Sequence, residues 1–385
     1  MHFVVAPDSF KGTIDARRVC EIMKEEILHR FSGVDVFALP MADGGEGTVD
    51  AFLQAGADGT YKTERVTCSV MGPFGRPVEA SYAILHGEEG GLTAVIETAS
   101  CAGLPIAYQL GKPDPSVTTT FGVGEQIADA MNRGCRRIIV GLGGSATNDA
   151  ACGAAAALGV RFLDGGGKAF VPTGGTLSRI MSVSTEQCNP LLRQTEILCM
   201  CDIDNPLFGP RGAAVVFGPQ KGADEAMVNQ LDQGLRALAR LLDNGNETLE
   251  GAGAAGGMGY GLVSFLGARL QSGIETVLDQ MNFDTAARGA ACIFTGEGRF
   301  DSQSVHGKVV SGIGKRAKAL DVPVMVVAGC TKNDVTPEEL SANNIVGVFA
   351  TGSGNLPFEV IRRDAEENLR KTMREILAFA HPDDV

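Results

Sequence analysis

Short apolar runs alternate along this chain with polar, glycine-bearing segments and with stretches whose apolar residues recur at helical spacing. Residues 3–6 read as a buried strand and 7–12 as the loop after it, while Val19, Ile22, Met23, Ile27 and Phe31 mark one face of a helix. Residues 34–39 predict a second strand. A loop at 42–48 follows, then a helix for which Thr48 is the expected N-cap. Residues 93–97 predict a third strand, and Thr118, Thr119 and Thr120 precede a helix that runs through Met131 and is stopped by Gly134. The strand predicted at 136–140 leads into the glycine-rich segment 141–149 and an alanine-rich helix. The strand at 197–201 leads into Asp202-Ile203-Asp204-Asn205-Pro206, and the one at 291–294 into a loop at 295–301. Residues 324–327 and 345–349 are the last predicted strands, before a long helix from about Glu359. Strands alternating with helices predict largely parallel α/β sheets, which bind ligands beyond the carboxyl ends of their strands.

The length, 385 residues, exceeds one typical core and predicts two domains. Gly72-Pro73-Phe74-Gly75-Arg76-Pro77 is a strong turn cluster and a candidate crossing point between them, as is the segment 271–289. The fifty-one glycines are well above the usual share of about 7%, and they cluster directly after apolar runs, where backbone must approach something closely. A formal net charge of −13 with no Lys/Arg block speaks against nucleic-acid or anionic-membrane partners. The ten cysteines include no Cys-x-x-Cys, and five scattered histidines give no zinc spacing, so reduced thiols are expected. No signal-peptide core opens the chain and no apolar run nears the roughly 20 residues of a membrane helix, so a cytoplasmic protein is expected.

The G-x-x-x-x-G-K-[ST] phosphate loop is absent; Gly307-Lys308 comes closest, but Val309 follows. A dinucleotide fingerprint occurs literally at 251–256, which invites an NAD-linked oxidoreductase, yet 245–250 do not read as the strand it requires. The segment 141–149 has the better context: it follows a strand and opens a helix, so its amides suit a phosphate, with Ser145 and Thr147 as added donors. The alternative is a plain turn with Asp149 capping the helix. Asp8, Asp43, Glu46, Asp202, Asp204, Glu297 and Asp301 all fall in predicted post-strand loops. They exceed the one or two carboxylates that a nucleotide-bound Mg²⁺ takes and the one that accepts a proton. Lys11, Arg211, Lys221, Arg299 and Lys308 are cations suited to a phosphate or a substrate carboxylate. His306 is a candidate base.

Several segments together resemble the bacterial glycerate kinases. They are APDSFKGT at 6–13, ADGGEGTVDA at 42–51, GPFGRPVEA at 72–80, TTTFGVGE at 118–125, GLGGSATNDA at 141–150, CDIDNPLFGPRGA at 201–213, FGPQKGA at 217–223, GAGAAGGMGYGL at 251–262 and TGEGRFDSQSVHGK at 295–308. They run in order across nearly the whole chain. The resemblance implies ATP- and Mg²⁺-dependent phosphorylation of D-glycerate, with the 2-hydroxyl as acceptor; the 3-hydroxyl or another small hydroxy acid is the alternative. It also implies two unlike α/β domains with mostly parallel sheets, one inserted in the other, and an active site in the cleft between them. The expected division is 1–71 with 285–385, and 72–284 as the insert.

On that pattern Asp8, Lys11, Asp202 and Arg299 are the catalytic candidates, with Asp8 or Asp202 accepting the proton. Ser9, Asp43, Gly44, Gly45, Arg211 and Lys308 are expected at the substrate. Gly143, Gly144, Ser145, Thr147 and Asn148 are expected at the ATP phosphates, and Glu46, Glu297 and Asp204 near the metal. Two readings of other classes stand beside this one: the NAD-linked oxidoreductase, and a two-lobed binding protein without catalysis.

Overall fold

The computed structural model describes every residue except 11, 43–46, 58–61, 88–90, 307, 333, 353–356 and 380–385. Strands β1 (His2–Val5) and β2 (Asp35–Ala38) come first, then β3 (Lys62–Met71), β4 (Pro77–His86), β5 (Leu92–Glu97) and β6 (Arg137–Gly141). The short β7 (Arg161–Leu163), β8 (Ala169–Phe170) and β9 (Ser182–Ser184) precede β10 (Glu196–Met200) and β11 (Arg269–Gln271). Finally come β12 (Cys292–Phe300), β13 (Val324–Thr331) and β14 (Ile345–Ala350). The protein is α/β with mostly parallel sheets, and it separates into two compact units.

The first unit comprises Met1–Asp43, Asp50–Thr60 and Ile274–Val385. Its sheet has the order β14-β13-β12-β1-β2, and every pairing in it is parallel. The central strands are apolar because both their faces are covered. On one face Phe3, Val5 and Phe294 pack with Ile22 and Ile27 of the helix Ala16–Arg30 and with Leu369 and Met373 of the helix Phe358–Phe379. The two helices are also joined by charge. Glu26, only 3% exposed, accepts hydrogen bonds from Arg370 Nη1 at 3.0 Å and from Arg374 Nε and Nη2 at 2.9 and 3.1 Å.

Burial alone would raise the Glu26 carboxyl, but Arg374 and Arg370 outweigh it and hold the group below its ordinary value. A lowered folded value means stability that is present above the unfolded carboxylate range, near pH 4.3, and lost as pH falls through the folded value. Glu26→Gln is therefore expected to cost about 2 kcal/mol at neutral pH, since it leaves two guanidinium groups short of their counter-charge. It should also flatten the acid side of the Tm–pH curve, which calorimetry across that range would read.

The second unit comprises Gly44–Val49 and Tyr61–Gly273. Its main sheet has the order β11-β10-β6-β5-β4-β3, in which the first four strands are parallel and β4 and β3 are antiparallel additions. The turn cluster at 72–77 is thus the hairpin between β3 and β4, where Gly72 N bonds Arg76 O at 2.7 Å, and not a crossing between units. Val66, Val70, Tyr82, Ile96, Ile138 and Val140 form the core of this sheet with Ile127 of the helix Phe121–Asn132. A small sheet, β8-β7-β9, lies elsewhere in the unit. Among the described residues no helix is long and apolar enough to cross a membrane.

One loop expectation is corrected. Residues 295–300 belong to β12 and stay in register with β13, Glu297 opposite Ala328 and Arg299 opposite Cys330. Gly296 is what keeps the two strands together here, because a Cβ at that position would stand 1.9 Å from Val327 O. Thr48, expected as an N-cap, is instead the first residue of its helix, Thr48–Ala57.

Candidate active site

In the first unit the chemistry collects at the carboxyl ends of neighbouring strands. Asp8 lies three residues past β1, and its N–H donates to Gly296 O at 2.8 Å, which ties the loop to β12. Its Oδ1 accepts from Ser9 N at 2.6 Å. Glu297 and Arg299, two apart on β12, point to the same face. Glu297 is half-buried and its Oε1 has no hydrogen-bond partner among the described residues. Burial pushes its carboxyl above the ordinary value; the Ser304 hydroxyl and the Lys308 charge oppose this, while Asp8 and Asp301 add to it. Arg299, exposed, has Nε 3.7 Å from Asp301 Oδ2. Lys308 caps the helix Val309–Ala319, its N–H donating to Ser311 Oγ at 3.0 Å and its Nζ to Gln303 Oε1 at 3.4 Å.

The first unit thus gathers Asp8, Ser9, Glu297, Arg299 and Lys308 at one sheet edge, where two cations can meet anions and carboxylates can take a proton or a cation. His306 is turned elsewhere, with Nε2 3.3 Å from Glu339 Oε1. Lys11, Asp43, Gly44, Gly45 and Glu46 lie outside the described residues.

In the second unit the loop after β6 has two parts. Gly143 is half-buried and Gly144, at φ +72°, is exposed, so their backbone remains within reach of a ligand. From Ser145 onward the chain turns inward. Lys221, 2% exposed, donates from Nζ to Ser145 Oγ at 2.9 Å and to Thr147 O at 2.7 Å. Thr147 and Asn148, expected at the ATP phosphates, are fully buried, and Thr147 Oγ1 and Asn148 Nδ2 and Oδ1 have no hydrogen-bond partner among the described residues. They lie under the loop because Gly256, at φ +70°, presses against them; a Cβ there would stand 2.0 Å from Thr147 O.

Asp149 does not simply cap the helix Cys152–Ala157. Fully buried, its Oδ2 accepts from Thr120 N at 2.8 Å, Thr120 Oγ1 at 2.9 Å and Gly153 N at 3.2 Å, so it joins the starts of two helices. The literal fingerprint at 251–256 follows a 3₁₀ turn, Asn246–Thr248, and no strand. Its Gly253 is pressed on Pro206 O, where a Cβ would come to 2.3 Å.

In the segment after β10 three of the expected site residues are engaged by other groups of the protein. Asp204, expected near a metal, and Arg211, expected at the substrate, pair with each other at 2.6 Å on the surface, 65% and 67% exposed. Asp202 Oδ1 accepts from Ser272 Oγ at 2.9 Å and Gly273 N at 2.8 Å, so it serves the start of the helix Gly273–Gln280. Among the described residues no group of three His, Cys, Asp or Glu side chains is placed to hold a metal ion. Two residues hold candidate segments in ways that local sequence does not show. Lys221 is one. The other is Glu97, whose Oε1 accepts from Val49 N at 2.7 Å at the head of the helix Thr48–Ala57. Nothing in local sequence marks Glu97, since its partner is 48 positions away.

The sequence profile described as "Glycerate kinase family" matches residues 3–381. A glycerate kinase of Bacillus subtilis is 41% identical over 98% of this chain and 97% of its own length. A glycerate 2-kinase of Escherichia coli is 39% identical over the same shares. A crystal structure assigned to glycerate kinase 2 of Salmonella typhimurium superposes with a TM-score of 0.85 at 37% identity, covering 98% of this chain and 97% of that one. The matches lend no support to an NAD-linked oxidoreductase. The chain belongs to the glycerate kinase family, enzymes that transfer a phosphoryl group to an alcohol.

Proposed function

We propose that this protein phosphorylates D-glycerate with ATP at the 2-hydroxyl, giving 2-phosphoglycerate and ADP. The observation that carries the reading is the gathering of Asp8, Glu297, Arg299 and Lys308 at the carboxyl edge of one parallel sheet. Phosphoryl transfer asks a protein mainly for positioning and charge, which this set supplies. Arg299, with its planar fork, receives the glycerate carboxylate, and Lys308 the transferring phosphoryl group. As the 2-hydroxyl oxygen bonds to the γ-phosphorus and the bond to the β-phosphate oxygen breaks, Asp8 takes the hydroxyl proton. Asp8 is preferred to Asp202 because it stands at the strand ends that also carry Glu297 and Arg299.

Gly143 and Gly144 offer backbone amides to the donor phosphates. Glu297, whose Oε1 has no hydrogen-bond partner among the described residues, would be the first unit's carboxylate for Mg²⁺, which would supply charge neutralisation on a nucleotide. Lys11, Asp43, Gly44, Gly45 and Glu46 complete the set by motif.

The test is to supply Mg-ATP and D-glycerate and couple the product to enolase with no phosphoglycerate mutase present. An enolase signal is the expected result. ADP that forms only with glycerate but gives no enolase signal would move the acceptor to the 3-hydroxyl. Absence of glycerate-dependent ADP from folded protein would refute the substrate.

A further inference from the structure

Lys221 is a buried cation without an ion-pair partner among the described residues. It ends the short turn Pro219–Lys221, and the chain there has little freedom: Gly222 is left-handed at φ +96°, and a Cβ on it would come within 2.3 Å of Pro113 O. Burial pushes the ammonium down to about 7, and the charge of Asp149, the ionisable group that acts on it, opposes the fall. A long apolar side chain would fill this space at less cost, because an ammonium loses its hydration when buried. The position of the charge supplies a reason for it. Nζ donates to Ser145 Oγ and Thr147 O, in the segment that directly follows half-buried Gly143 and exposed Gly144. With its oxygen accepting from Lys221, the Ser145 hydroxyl keeps its own proton to donate, and no acceptor among the described residues takes it.

We propose that Lys221 is the positioning residue of the phosphoryl-donor loop: it turns the Ser145 hydroxyl toward a nucleotide phosphate and sets a positive charge behind the Gly143 and Gly144 amides. The assignment deepens the proposed function and rests on it. It carries a linkage consequence, since an anion bound above a buried ammonium stabilises the charged form. Lys221 is close to half-charged near neutrality when the loop is empty, so nucleotide binding at pH 8 draws a proton from solution.

Calorimetric titration of the whole protein with Mg-ATP, without acceptor, tests this in buffers of different ionisation enthalpy at pH 8, where Mg-ATP itself no longer titrates. Net proton uptake is expected from the wild type. Lys221→Met should bind Mg-ATP about tenfold or more weakly, take up no proton, and leave the KM for the hydroxy acid nearly unchanged. Lys221→Arg, charged at every pH used, should recover part of the affinity and still take up no proton. A purely structural lysine would lower Tm and move both KM values together.

Wild-type binding without proton uptake overturns the assignment, even if Lys221→Met does not fold. So does a folded Lys221→Met with wild-type affinity. Because no acceptor is present, a wrong choice of hydroxy acid leaves the result readable. A protein that does not bind Mg-ATP overturns the proposed function and this assignment together.

Discussion

Asp8→Asn will lower kcat by about 10²- to 10⁴-fold while leaving the KM for ATP close to the wild-type value, the size expected when a positioned proton acceptor is lost. The substitution keeps the shape of the side chain and an oxygen able to accept from Ser9 N. What disappears is a carboxylate able to accept the hydroxyl proton during transfer. Steady-state rates with D-glycerate as varied substrate would check it, alongside a Tm measurement to show that the fold is intact. A loss smaller than tenfold would remove Asp8 from proton transfer. Asp202→Asn would then be the next variant, with its Tm followed as well, because Asp202 holds Ser272 and Gly273.

The second large effect falls on stability. Asp149→Ala should destabilise the second unit by about 3 kcal/mol or more, because it strands the buried N–H groups of Thr120 and Gly153 together with the Thr120 hydroxyl. For a unit of this size that corresponds to a Tm fall of roughly 10 °C. Asp149→Asn keeps one acceptor oxygen and should lose about half as much.

The pH dependence adds a signature. Burial raises the Asp149 carboxyl to about 6, against the hydrogen bonds from Thr120 and Gly153 that favour its charged form. A raised folded value gives stability that is complete below the unfolded value, near pH 3.9, and is lost as pH rises through about 6. The Tm gap between wild type and Asp149→Asn should therefore narrow from pH 4 to pH 7. A gap that widened over that range would contradict a carboxyl held partly neutral by burial.

What the sequence revealed and what it hid follow from how local each interaction is. The parallel strands around residues 3–6, 136–140 and 197–201 are apolar on both faces, so their runs stood out. The β3–β4 hairpin was missed because its pattern is alternating: Val66 and Val70 are buried while Arg65 and Thr67 face outward. The reading of 295–300 as a loop failed for a related reason. Charges and glycines suggested a turn, but the glycine there permits close strand approach, and that requirement lies on β13.

At the candidate site, Asp8 and Lys308 were legible as loop residues beyond apolar runs, whereas Glu297 and Arg299, read as loop residues, lie within β12. Burial was not legible. A lysine in Pro-Gln-Lys-Gly reads as exposed, and Thr147 and Asn148 beside three glycines read as donors to a ligand. Lys221, Thr147 and Asn148 are interior only because residues more than seventy or a hundred positions away close over them.

The sheet of the first unit has a consequence for biosynthesis. β1 pairs with β2 on one side and β12 on the other, yet β2 ends at Ala38 and β12 begins at Cys292. A nascent chain therefore presents Phe3, Val4 and Val5 long before their central partner exists. Over that interval every strand of the second unit, through Gln271, has been made. The unit whose strands are contiguous is thus expected to fold first during translation, and the one that holds Asp8 last. An early apolar segment awaiting a late partner is the kind of surface that chaperones attend to, and Glu26, Arg370 and Arg374 can pair only when the final helix arrives.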